Sequence, residues 1–198
     1  MSSPALAAHR LYCYRDYLAW DSDHRYELID GVRAAMAPAP GLEHQELAGR
    51  IYTQLVLKLD GHPCRPFIAP MDVRLPKPEQ TDDDSDTVVQ PDVLVICDRS
   101  KLDSRGVRGA PDFVVEVLSP ATAARDQIVK RKLYERAGVR EYWHVHPTDR
   151  LLTIYPLATS AYAAPEVLEL RAETSIAALP GVSIDWEPIL RALGPPPT

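Results

Sequence analysis

Two short segments restrict the possible folds of this chain more than any other feature. DVLVIC, from Asp92 to Cys97, and FVVEVL, from Phe113 to Leu118, are nearly continuous apolar runs rich in β-branched residues. Runs of this length and composition read as central strands buried on both faces, so the sheet that holds them must be covered on both sides. Each run also carries a carboxylate, Asp92 at the head of the first and Glu116 inside the second. An ionised carboxylate there is costly unless a cation or dense hydrogen bonding compensates it. Asp92 has a structural explanation, since Asp after Pro commonly begins a strand turn. Glu116, in mid-strand, has no cap to make.

The remaining elements supply the cover. A short helix is expected over Tyr14 to Trp20. RYELIDGVRAAMA reads as a hairpin whose Asp30-Gly31 pair suits a tight turn. From Leu42 to Leu57, Leu47, Ile51 and Leu55 recur at steps of four and predict a helix with one buried stripe. Pro66 to Leu75 reads as extended. Thr122 can cap a helix running to Ala137, with Gly138 placed to end it. EYWHVHPTDRLLTIY reads as two strands joined by a Pro-Thr-Asp turn. The expected architecture is α/β: a mixed central sheet flanked by helices, with hairpins towards both ends.

At 198 residues the chain is expected to form a single domain, with a Pro-rich tail at 194–198. No apolar stretch approaches the ~20 residues of a membrane span, and the N-terminus lacks a basic-then-apolar leader, so a soluble, cytoplasmic protein is expected. Cys13, Cys64 and Cys97 are odd in number and widely spaced, and are expected to be reduced, packed thiols. The acidic run Asp82, Asp83, Asp84 and Asp86 reads as a solvated loop. A net charge of −6 argues against a generally basic nucleic-acid binder. The average hides a segregation, however: Arg99 to Arg140 holds ten basic and five acidic residues, leaving twelve and twenty-three elsewhere. That segment is either a solvated surface or a phosphate-facing patch.

The helix after Glu116 adds a further oddity. At 100° per residue Val129, Leu133 and Ala137 define its inward stripe, and Asp126 and Lys130 fall on the same face, while Arg125, Arg131, Lys132, Glu135 and Arg136 point away. Two arrangements are open to Lys130: its stem lies on the sheet with the ammonium in water, or the ammonium reaches the carboxylates. Carboxylates on adjacent strands suit magnesium, which takes one or two of them and keeps several waters. With Lys130 alongside, Asp92 and Glu116 would form a centre for phosphodiester hydrolysis.

The stretches YELIDG, QPDVLVI, PDFVVEVLSP and RDQIVKRKLYERAGVREYW resemble the Uma2 family, a family of unknown function within the PD-(D/E)XK nuclease superfamily. The likeness runs from about Tyr14 to Tyr155. It implies a restriction-endonuclease-like core, dependence on Mg2+ with Mn2+ as a substitute, and DNA as substrate. Pro91-Asp92 matches the superfamily's PD and Glu116 its second acid. The superfamily's lysine would stand two residues after Glu116, where this chain has Leu118; Uma2-like chains carry it in the following helix, which maps onto Lys130. Glu27, in YELIDG, matches a family acidic position and is a further candidate metal or water ligand, or else an exposed hairpin charge. His44 matches the family pattern on the buried stripe of its helix, as a core histidine or an acid-base and phosphate-binding group. Gln90 is a candidate for orienting a water.

Other polar residues read as structural. His144 and His146 share a strand face but have no third ligand at useful spacing, so they read as ordinary strand residues. Tyr142 and Trp143 read as core or dimer-contact aromatics. Ser119 lacks a nucleophile elbow. The expectation is a magnesium-dependent endonuclease, assembled as a homodimer, with Asp92 and Glu116 binding metal and Lys130, Glu27 and His44 around them. The competing expectation is a nuclease-fold module that binds nucleic acid or protein without catalysis; hydrolysis of another phosphoester is a third.

Overall fold

The computed structural model describes residues 10–20, 24–36 and 41–195. Pro38, Pro40 and the last three residues of the Pro-rich tail lie outside them. In chain order the elements are α1 (Tyr14–Leu18), β1 (Tyr26–Ile29), β2 (Val32–Ala35), α2 (Leu42–Lys58), β3 (Arg65–Ile68), β4 (Val73–Arg74), β5 (Val88–Val89) and β6 (Val93–Ile96). There follow β7 (Leu102–Asp103), β8 (Gly106–Arg108), β9 (Phe113–Val117), a π-helical segment Arg125–Lys130 running into α3 (Arg131–Ala137), and β10 (Glu141–His146). The chain continues through β11 (Leu151–Pro156), β12 (Glu166–Glu169), β13 (Glu173–Ser175), β14 (Ser183–Asp185) and α4 (Trp186–Leu193).

The expected mixed central sheet is present, in the order β12-β11-β10-β9-β6-β3. Its one parallel pair is β9 with β10. A parallel pair needs a crossover, and the helix bearing Lys130 is that crossover. Side-chain alternation then sorts the two sides of the sheet. Val93, Val95, Phe113, Val115, Val117, Trp143 and Val145 pack with Leu47, Ile51 and Leu55 of α2 and with Ile189 of α4. Leu94, Ile96, Val114 and Tyr142 pack on the other side with Leu133 and Tyr134 of α3. Glu116 shares the parity of Val114, so it stands on the side of the crossover helix.

A second mixed sheet, β2-β1-β5-β4-β8-β7, also packs on that side, through Ile29, Val73, Val89 and Val107. The β1–β2 hairpin turns at Asp30-Gly31, both in the left-handed region at φ 48° and 78°, as a two-residue turn demands. Pro66 to Leu75 is two strands rather than one, β3 in the central sheet and β4 in the second. Beyond Tyr155 the chain adds β12, the β13–β14 pair and α4.

Three local expectations are corrected or extended. Cys64 and Cys97 form a disulfide, because the antiparallel register that sets Arg65 opposite Ile96 brings the two cysteines next to each other at the strand ends; their separation in sequence conceals this. Val129 is exposed and Arg125 lines the candidate site, because the wider π-helical turn shifts the helix phase while keeping Asp126 and Lys130 buried. The acidic run is a loop, as expected, but it also serves as a counter-charge. Asp82 accepts from the fully buried Arg74 and from Arg105 at 2.5 and 2.7 Å, with Arg108 at 3.5 Å.

Much of the basic segment is neutralised in this way. Arg105 also meets Asp83, Arg136 meets Asp30, and Arg140 meets Asp112. Arg74 is the anchor, and it also donates twice to Asp103 at 2.7 Å. Arg74→Met should cost about 2 kcal/mol in urea unfolding at pH 7, since it takes from Asp82 and Asp103 the buried guanidinium they share. The hydrogen bonds from Arg74 hold Asp103 below the usual carboxylate range. A lowered folded value gives stability that is present at neutral pH and lost as pH falls below about 4. The difference between wild type and variant should therefore shrink on acidification; a constant difference would mean that Arg74 acts through packing alone.

Candidate active site

The register that pairs Val93 with Val115 in β6 and β9 sets Asp92 opposite Glu116 when continued by one residue. Asp92 Oδ2 accepts the backbone N–H of Val117 at 2.8 Å and lies 3.1 Å from Nε2 of His44, in the first turn of α2. Glu116 Oε1 accepts from Lys130 Nζ at 2.9 Å and from the Tyr134 hydroxyl at 3.1 Å. Lys130 also lies 2.9 Å from Glu27 Oε1 in β1 and 3.7 Å from Asp126. Of its two possible arrangements, Lys130 adopts the buried one. Glu27 is likewise not an exposed hairpin charge, its side chain being only 2% exposed.

These residues line one cavity of about 60 Å3, with Gln90, Thr122 and Arg125 at its walls. The volume is enough for more than one water or for a hydrated cation, at ~10–15 Å3 per water. All five sequence-predicted residues, Asp92, Glu116, Lys130, Glu27 and His44, are brought together there. Sequence reasoning missed two others. Asp126 had been placed on the inward face without a role. Arg125 donates to the carbonyl of Ala35 at 2.9 Å and stands 3.9 Å from Glu27. Gln90 donates its backbone N–H to Glu27, but its amide group is engaged by Asp72, Tyr17 and Arg25.

The electrostatics are unbalanced towards negative charge. Four carboxylates line the cavity with one buried ammonium: Lys130 lies within 4 Å of Glu27, Glu116 and Asp126, while Asp92 is paired with His44. Burial pushes Glu116 well above the usual range; Lys130 opposes this, and the charges of Asp126, Asp92 and Glu27 reinforce it. Burial raises Asp126 too. Burial would lower Lys130, but Glu116, Glu27 and Asp126 outweigh it and keep the ammonium charged. In His44 burial is likewise outweighed by the hydrogen bond and charge of Asp92, so the imidazole sits above its ordinary value.

The donor set suits a hard divalent cation. The hydrogen bonds to Asp92 and Glu116 use Oδ2 and Oε1, so Oδ1 and Oε2 take none of them. Among the described residues no three His, Cys, Asp or Glu side chains form a ready-made cage. His144 and His146 lie outside this cavity. His144 is buried against Tyr142 and Tyr155, and burial depresses it to about 3. Tyr142 and Trp143 are fully buried core aromatics.

A mixed sheet presenting paired acids and a lysine beneath a crossover helix defines a nuclease-like α/β domain. The sequence model of the family described as "Uma2: Putative restriction endonuclease" matches residues 14–187, and the chain belongs to that family. It is 29% identical over 143 residues to "Uncharacterized protein slr1290" of Synechocystis sp., covering 71% of each chain. The crystal structure of "a putative nuclease belonging to DUF820" from Anabaena variabilis superposes with a TM-score of 0.70 at 16% identity. That match covers 90% of this chain and 97% of the other, and establishes the shared fold. No helix among the described residues is long and apolar enough to cross a membrane.

Proposed function

We propose that this protein is a magnesium-dependent endonuclease that hydrolyses phosphodiester bonds of DNA. The observation that carries this reading is the meeting of Asp92, Glu116 and Lys130 in one cavity, between β6 and β9 and the helix that follows β9. Asp92 and Glu116 would hold the divalent ion, which when bound polarises a phosphoryl oxygen and acidifies a water. Lys130 keeps its proton and offsets negative charge beside Glu116. His44 and the Val117 N–H fix the Asp92 carboxylate. Arg125, a third exposed at the cavity wall, is placed to meet a phosphate oxygen.

The test is cleavage of plasmid and oligonucleotide DNA by the purified chain with Mg2+, and its loss with a chelator. Asp92→Ala should reduce cleavage more than about 100-fold while circular dichroism stays native. Undiminished cleavage by a folded Asp92→Ala protein would reject the mechanism. One observation favours a second reading, a nuclease-fold module that binds nucleic acid or protein without catalysis: Lys130 already gives Glu116 and Glu27 a counter-charge. Calorimetric titration with Mg2+ or Mn2+ separates the two, because only the catalytic reading requires saturable binding that Asp92→Ala abolishes.

A further inference from the structure

Beside the acidic cavity lies a cleft of about 220 Å3 lined by Tyr17, Trp20, His24, Arg25, Tyr26 and Gln90. Gln90 lines both spaces, so the cleft and the acidic cavity lie on either side of one residue. Its rings are held in place. Trp20 lies 5.3 Å from Tyr17 and 5.8 Å from Tyr26, centroid to centroid. The guanidinium of Arg33 sits 3.6 Å from the Tyr26 ring centre and 4.7 Å from that of Trp20. Arg25 and the Tyr17 hydroxyl are tied to the Gln90 amide. Trp143 and Trp186 are fully buried, whereas Trp20 keeps part of its surface in solvent.

Ordered, partly exposed aromatic walls with arginines alongside form a surface on which a base stacks, because every base has a π-face. A base within a duplex has both faces covered by its neighbours and enters such a cleft only when unstacked. We propose that this cleft receives an unpaired nucleobase next to the phosphate that is brought to the mouth of the acidic cavity, so that the preferred substrate is single-stranded at that nucleotide. The proposal rests on the phosphodiesterase reading and names its substrate class.

The test measures anisotropy of a labelled single-stranded oligonucleotide, the same oligonucleotide with one abasic position, and the matching duplex, alongside Mg2+-dependent cleavage of each. Wild type should favour the single strand, and its binding should quench the emission of Trp20, the one tryptophan that is not fully buried. Trp20→Leu should weaken single-strand binding about tenfold, while Trp20→Phe, which keeps a ring, should retain most of it. Tyr26→Leu should weaken it similarly and checks that the loss is not peculiar to position 20. Equal binding of single strand and duplex, untouched by Trp20→Leu, would overturn the cleft assignment, and persisting cleavage would leave the endonuclease reading intact. Absence of both binding and cleavage for every substrate would overturn both.

Discussion

Lys130→Met should destabilise the fold by about 3–5 kcal/mol at neutral pH, measured by urea unfolding, and should also abolish Mg2+-dependent cleavage. Methionine preserves the stem and much of the volume of lysine, so the loss reports the ammonium. Without it, Glu27, Glu116 and Asp126 lose the cation that stands 2.9, 2.9 and 3.7 Å from them. Burial already raises Glu116 and Asp126, and removal of Lys130 raises them further. A carboxyl with a raised folded pKa binds its proton more tightly in the native state. Its contribution is therefore favourable at low pH and lost as pH rises through the folded value. The variant should accordingly recover stability relative to wild type as pH is lowered from 7 to about 5. Mg2+ should also raise its melting temperature more than that of wild type, by filling the same electrostatic role. A variant as stable as wild type at pH 7 would show that the ammonium is not what holds these carboxylates together.

The parts of this site that were legible in the sequence are those governed by local composition and periodicity. The unbroken β-branched run put Glu116 inside a buried strand, and helical spacing put Lys130 on the inward face of the next helix. The structure brings them to 2.9 Å because both act across a single strand-to-helix crossover. Where the helix departs from 3.6 residues per turn, the reading failed with it: Val129 was assigned inward and Arg125 outward, and both assignments reverse in the π-helical segment. Features that depend on pairing distant in sequence were hidden. The Cys64–Cys97 bond follows from strand register. The burial of Arg74 and its pairing with Asp82 and Asp103 depend on the second sheet, whose two- and three-residue strands carry no periodic signal. Counting charge along the chain exposed a basic segment but not its partners: Arg105, Arg108, Arg136 and Arg140 face the acidic run or neighbouring acids.

The excess of acid over base at the cavity makes Glu116→Gln informative, because it should move stability and activity in opposite directions. A glutamine Oε1 can accept from Lys130 and Tyr134 as the carboxylate does. Lys130 keeps Glu27 as an ionic partner. The substitution therefore removes one negative charge from a crowded, desolvated group of four without breaking its hydrogen bonds. A gain of about 1 kcal/mol is expected, or roughly 3 °C in melting temperature for a chain of this size. The same change replaces a hard anionic oxygen facing the cavity with a neutral amide. Calorimetric Mg2+ affinity and DNA cleavage should each fall more than about 100-fold. On the proposed function, a cation site would account for a carboxylate that the fold alone would hold more cheaply as an amide. A Glu116→Gln protein that is less stable than wild type, or one that binds Mg2+ equally well, would place the role of Glu116 in the architecture of β9 instead.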